Sequence, residues 1–160
     1  MKSQATFGAG SRIGGWTFAP DSEVLDYAGG FDGDGREDLI VWGPDGIALV
    51  SSLPPIRAGQ PRSWKLLAAV ANGTRAGKWM MGTEKQTVHG TGDFNGDGRA
   101  DLLMTGPNAI GVLTIGNDGL TTLAMHTNGT RLGGWIIDTR SNRIEGIGDF
   151  DGCILRVNQA

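Results

Sequence analysis

Gly92-Asp93-Phe94-Asn95-Gly96-Asp97-Gly98-Arg99-Ala100-Asp101 leads directly into the apolar run Leu102-Leu103-Met104. Counted from Asp93, oxygen-bearing side chains fall at the first, third, fifth and ninth positions, as Asp93, Asn95, Asp97 and Asp101. Every second residue of a tightly curled loop can point inward while glycine takes up the strained backbone between them. Ca²⁺ wants roughly six to eight oxygen ligands, so the spacing reads as a calcium loop. An EF-hand would need a bidentate acid at the twelfth position, where Met104 stands. Asp101 instead opens a strand-like run, which predicts a β-turn-β loop with the Arg99 carbonyl at the seventh position. The alternative is an Asp/Gly-rich turn that holds no metal.

The composition suits such loops. Among 160 residues there are 28 glycines, with 39% hydrophobic and 19% charged residues, a balance that favours many turns over long helices. A formal charge of −3 and a pI near 5.3, without a basic block to neutralise phosphates, argue against a nucleic-acid binder. No apolar run approaches the roughly 20 residues of a spanning helix, so membrane insertion is not expected. Met1-Lys2-Ser3-Gln4 leads into no signal-peptide core, which points to cytoplasmic synthesis, while calcium loops of this kind would fill best outside the cell, so the location stays open. The single cysteine, Cys153, rules out an intramolecular disulfide and a thiolate zinc cluster.

Outward from the loop, the chain repeats itself. Trp16 to Phe31, Trp79 to Phe94 and Trp135 to Phe150 align without gaps, and each follows a related turn ending in Gly14-Gly15, Gly77-Lys78 or Gly133-Gly134. The period is roughly 60 residues. Its first interval is the longer, and the extra residues fall between Leu53 and Gln60, where Pro54, Pro55 and Pro61 mark a surface loop. Alternating apolar patterns predict four strands per unit. They are Glu23–Gly29, Asp38–Trp42, Ile47–Ser51 and Trp64–Val70, then Thr87–Asp93, Ala100–Thr105, Ile110–Ile115 and Thr121–His126. No segment sustains a helical period. A lone four-stranded sheet cannot bury both faces, so the units must stack, and a four-stranded unit of this length is a propeller blade. The expected fold class is all-β, with blades of four antiparallel strands.

The loop Gly-Asp-Phe-Asn-Gly-Asp-Gly-Arg-Ala-Asp-Leu-Leu resembles the FG-GAP/VCBS repeats of integrin-α-like propellers. The added Asn-Gly-Thr-Arg-x-Gly-Gly-Trp turn (Asn128 to Trp135) and the Gly106-Pro107-x-x-Ile110-Gly111 corner look like the Psathyrella velutina lectin family. That resemblance implies a non-catalytic, calcium-containing propeller that binds terminal N-acetylglucosamine, and also sialic acid, between adjacent blades. The integrin side of the resemblance implies protein-protein recognition instead.

A sugar site needs an aromatic face for the apolar side of the ring and converging groups for its hydroxyls and amide. Trp16, Trp79 and Trp135 are candidates for the first, and Arg12, Arg75 and Arg131 for the second. Each Trp can equally wedge between blades, and each Arg can bond loop carbonyls. Trp42, aligned with Thr105, and His89, aligned with Asp26 and Glu145, are further ligand candidates. His89 and His126 have no sequence-visible partner for nucleophilic catalysis, and the clustered carboxylates are committed to the loops, so an enzyme is not expected. Asn72-Gly73-Thr74 and Asn128-Gly129-Thr130 are formal glycosylation sequons that read as turns.

The loops are unequal. The first has Gly30 in place of Asp93, leaving Asp32, Asp34, Asp38 and the Arg36 carbonyl for weak binding. The third begins with Asp149 and Asp151 but continues into Cys153, and is expected to be empty. Residues 1–22 read as the last strand of a split blade (Ala5–Phe7) plus a connector, 23–78 and 79–134 as whole blades, and 135–160 as the start of a split third blade. That blade would use Arg143–Asp149 and Ile154–Val157. Exposed blade faces are an aggregation hazard, so the chain reads either as a fragment of a longer protein or as a homo-oligomer that closes the incomplete ring, with a six-bladed dimer favoured.

Overall fold

The computed structural model describes residues 10, 12–18, 24–60 and 63–147, and the side chains of residues 24–28 also lie outside the description. Two four-stranded antiparallel sheets dominate. The first blade contains β3 (Val24–Gly29), β4 (Asp38–Gly43), β5 (Gly46–Ser52) and β6 (Trp64–Ala71), hydrogen-bonded in that order. The second contains β9 (Thr87–Gly92), β10 (Asp101–Gly106), β11 (Ala109–Gly116) and β12 (Gly119–Thr127), again in chain order. Three small hairpins punctuate them: β1 (Arg12–Ile13) with β2 (Trp16–Thr17), β7 (Arg75–Ala76) with β8 (Trp79–Met80), and β13 (Arg131–Leu132) with β14 (Trp135–Ile136). One 3₁₀ turn, Thr83–Lys85, is the only helical element among the described residues.

The repeat extends to single backbone angles. Gly14, Gly77 and Gly133 turn the three hairpins with φ of 59°, 62° and 61°, where a side chain would be strained. The blades also share a register shift between their third and fourth strands, at Leu49/Val50 and at Val112/Leu113. Such bulges increase the local twist of a sheet.

The blades stack face to face, and alternation decides which residues meet. Ile40, Ile47, Leu49, Ala68 and Val70 of the first blade pack with Val88, Leu102, Met104, Leu113 and Leu120 of the second in one core. The opposite face of the first blade, with Val41, Ala48 and Val50, takes Ile13 and Phe18 from around the first hairpin. Covered on both sides, β5 is buried along its whole length. The far face of the second blade, with Leu103, Ile110 and Val112, packs with Ile137 and with the partly buried Trp135, Ile144 and Ile147.

Residues 143–147, the described part of the expected third-blade strand, are not in a strand and pair with no strand among the described residues. The residues aligned with a pairing second strand lie outside the description, as do Ala5–Phe7, Asp149 and Ile154–Val157. Residues 53–60 form no strand, as the prolines imply, and Ile56 is 92% exposed.

Candidate functional site

The two complete loops fold alike. Gly33 and Gly96 have φ of 75° and 76°, and Gly35 and Gly98 have 78° and 81°. In the second loop the Asp93 carboxylate accepts from the N–H groups of Gly96 (2.7 Å), Asp97 (3.1 Å) and Gly98 (2.8 Å), while Asn95 Oδ1 accepts from Asp97 N–H at 2.8 Å. The Arg99 side chain binds Asp97 Oδ2 at 2.9 Å, and this contact holds the Asp97 carboxyl below its usual range. The first loop keeps the later turns, Asp34 N–H to Asp32 Oδ1 at 3.0 Å and Arg36 N–H to Asp34 Oδ1 at 2.9 Å, with an Arg36–Asp34 ion pair. Its fold therefore survives the exchange of Asp for Gly30. Loop two also leans on loop one, with Ala100 N–H donating to the Gly30 carbonyl at 2.9 Å.

Asp38 and Asp101, at the ninth positions, are fully buried. Each uses Oδ2 to hold its own loop, Asp38 accepting from Phe31 N–H at 2.8 Å and Asp101 from Phe94 N–H at 3.0 Å. Each leaves Oδ1 buried without a hydrogen-bond partner. Burial pushes both carboxyls above the usual range, an effect softened by the nearby Ser51 and Thr114 hydroxyls. Among the described residues, no group of three or more His, Cys, Asp or Glu side chains converges as a ready-made metal cluster. The second loop nevertheless offers an all-oxygen set suited to a hard cation: the side chains of Asp93, Asn95, Asp97 and Asp101 with the Arg99 carbonyl. The orphaned Asp101 oxygen fits that use, since a buried unpaired carboxylate oxygen is costly. Asp32, Asp34, Asp38 and the Arg36 carbonyl form the shorter set. Asp149, Asp151 and Cys153 lie outside the described residues.

The aromatic candidates separate. Trp79 is 2% exposed and wedged between the blades. Its ring lies so close to Gly111 that a methyl group there would meet it at 2.6 Å. Its indole N–H donates to Gln86 Oε1 at 3.1 Å, and its backbone N–H to Thr122 Oγ1 at 2.9 Å. As a ligand platform Trp79 is therefore closed: the wedge reading accounts for it. Arg75 bonds its own turn, donating to the Lys78 carbonyl at 3.2 Å. Trp42 packs against the inter-blade core and Trp16 against the outer face of the first blade. Arg12 and Arg131 are exposed on their hairpins. His89 binds Thr105 Oγ1 at 2.7 Å, and burial lowers its pKa.

Trp135 sits differently. It lines a cavity of about 280 Å³ with Leu103, Ile110, Val112, Ala124 and His126. The ring is half-buried, and its Nε1 is buried with no hydrogen-bond partner among the described residues. Aligned positions explain the contrast. Asn142 stands where Gln86 serves Trp79, one methylene shorter, and its Oδ1 accepts from Asp138 N–H at 2.6 Å. His126 stands where the first blade has Val70. Neither His126 nor Asn142 is a candidate on sequence grounds; their signal is a changed residue at positions that are otherwise matched, His for Val70 and the shorter amide for Gln86.

The sequons are bolts. Asn72 Nδ2 donates to the Pro44 carbonyl (2.5 Å) and to Thr83 Oγ1 (2.9 Å), its Oδ1 accepts from Thr83 N–H (3.0 Å), and Thr83 Oγ1 donates to the Gly43 carbonyl (2.7 Å). Asn128 and Thr139 repeat the arrangement at Pro107. Each bolt ties the corner of one blade to the chain that leads onward from it.

The FG-GAP repeat profile matches residues 90–122, which span the end of β9, the second loop, β10, β11 and the start of β12. The chain thus contains an FG-GAP repeat within an all-β, propeller-like fold. No curated protein and no solved structure matches it. The repeat indicates a propeller-type recognition domain.

Proposed function

We propose that the chain is a non-catalytic carbohydrate-recognition propeller, taking glycans that end in N-acetylglucosamine in the cleft between the second blade and the third hairpin. The single observation that carries this reading is the Trp135 indole, half-open on an apolar cavity with its N–H buried and unpaired. An acetamido sugar offers an apolar ring face, a methyl group and a carbonyl acceptor together, and His126 adds a polar group at the rim. Arg131, three residues after Asn128, is the candidate cation on the same hairpin.

In the same proposal calcium is structural. The register places Asp101 beside Gly92 at one end of β10 and Gly106 beside Ala109 at the other. About five residues of strand, roughly 16 Å, separate the loop from the cleft end. An ion held by Asp93, Asn95, Asp97, Asp101 and the Arg99 carbonyl would pin the first turn of the blade. Self-association head to tail, with a six-bladed dimer as its form, belongs to the same proposal. A solution mass equal to one chain, measured by light scattering, removes the dimer from the proposal.

A glycan array followed by calorimetry with N-acetylglucosamine tests the main reading. Binding is expected, with clear weakening in Trp135→Phe, which keeps a ring and removes the N–H. Silence across the array from a folded protein refutes it. Protein-protein recognition is the second reading, supported by the exposed apolar Leu132 (42%) and Ile136 (48%) on the hairpin that borders the cleft.

A further inference from the structure

Three Asn-Gly pairs occur in the described residues, at Asn72-Gly73, Asn95-Gly96 and Asn128-Gly129. Asn-Gly is the dipeptide most open to intramolecular attack by the backbone, because glycine puts no side chain in the way. Whether attack happens in a folded protein depends on how the carboxamide and the following N–H are held. At the two bolts both are locked. Asn72 and Asn128 spend both side-chain atoms on Thr83 or Thr139 and on a proline carbonyl. Gly73 N–H and Gly129 N–H donate to the carbonyls of Met81 (2.9 Å) and Ile137 (2.8 Å).

Asn95 is held far less. It is exposed, and its carboxamide uses Oδ1 on Asp97 N–H at 2.8 Å. The N–H of Gly96 donates not to a backbone carbonyl but to the Asp93 carboxylate, at 2.7 Å. We propose that Asn95 is a site of spontaneous deamidation in the folded protein, and that Asn72 and Asn128 are protected from it. Gly96 N bonds to Asn95 Cγ, the Cγ–Nδ2 bond breaks, and Nδ2 leaves as ammonia with the proton lost from Gly96 N. Water then opens the resulting succinimide at either carbonyl, giving aspartate or isoaspartate. The aspartate product adds a carboxylate at the third position of the loop, and the isoaspartate product lengthens the backbone there and breaks the turn to Asp97. The loop thereby carries a chemical clock that changes its own ligand set.

The test is peptide mapping of the full chain after prolonged incubation at mildly alkaline pH with a chelator, folded and in denaturant. Tryptic cleavage isolates residues 86–99, with Asn95 as its asparagine, and residues 66–75, with Asn72. In the folded protein, residues 86–99 are expected to gain about one mass unit and to split into two isomers, while residues 66–75 stay unchanged. In denaturant both peptides are expected to react. The proposal fails if 86–99 stays unmodified in the folded protein while reacting in denaturant, or if 66–75 reacts as fast as 86–99 in the fold.

Discussion

Two hairpins with nearly the same sequence meet the second blade from opposite sides, and they end in opposite conditions. Around Trp79 the seam is complete: the ring is covered, its N–H is satisfied by Gln86, and Gly77 lies so close to β12 that a methyl group there would meet Thr121 Oγ1 at 2.7 Å. Around Trp135 nothing among the described residues lies within 4 Å of where a methyl group on Gly133 would be, and the indole N–H has no hydrogen-bond partner among them. One tryptophan serves as mortar and the other as a wall. The residue type is shared, so the role is set by what covers it and by one methylene in its partner, Gln86 against Asn142.

Removing the two rings should break the comparison most visibly. Trp79→Ala leaves a large void between blades and is expected to cost about 3–5 kcal/mol in chemical denaturation. Trp135→Ala, at a half-open ring, should cost about 1–2 kcal/mol while abolishing glycan binding. Equal stability losses would show that the two seams are equivalent in solution, and the cleft reading would fall with that result.

Calcium sharpens a parallel contrast between the loops. On the proposed structural role, calcium at a hundredfold over its dissociation constant should stabilise the protein by about 2.7 kcal/mol, seen as a higher melting temperature. Asp101→Asn should remove that gain. Gly30→Asp should add a second bound ion by calorimetry, because a Cβ at Gly30 has room, at 3.5 Å from the Arg36 carbonyl oxygen. A melting temperature indifferent to calcium in the unmodified chain would leave both loops as metal-free turns.

Much of this could be read in the chain itself. All eight blade strands lie within two residues of the expected boundaries, because alternation, the Gly-Pro corners and the loop carboxylates each mark an edge independently. The Trp candidates were less legible. Their spacing identifies a repeated position, but exposure is a property of the neighbouring blade, and no local pattern around Trp79 announces that Gly111 and Gln86 will close over it. The exchanges at His126 and Asn142 were visible only by alignment of the copies, where they resemble ordinary drift until the cavity gives them a location. Residues 143–147 carry a strand-like pattern yet make no ladder among the described residues, and pattern alone does not supply a pairing strand.

The bolts test whether the two seams are fastened alike. Asn72→Ala removes the partner of Thr83 N–H and of a corner carbonyl, and should cost about 1–3 kcal/mol. Asn128→Ala strips a matching set of contacts, but its bonds to Pro107 and Asp138 are longer, at 3.4 Å. A cost nearer about 1 kcal/mol is expected there. A larger loss at Asn128 than at Asn72 would mean that the third hairpin is anchored more firmly than its open surroundings imply.

The smallest expected effect is the most informative. Asn142→Gln restores the residue that satisfies Trp79, and the added methylene gives its Oε1 the reach to accept from Trp135 Nε1 as Gln86 does from Trp79. Satisfying a buried donor should stabilise the fold by about 1 kcal/mol. The same change should weaken sugar binding, because the N–H proposed to meet the ligand would already be occupied. Stability and affinity must therefore move in opposite directions in a single variant, something that neither general loosening nor general tightening of the hairpin produces. If Asn142→Gln leaves affinity intact while raising stability, the Trp135 N–H belongs to the scaffold and the ligand lies elsewhere.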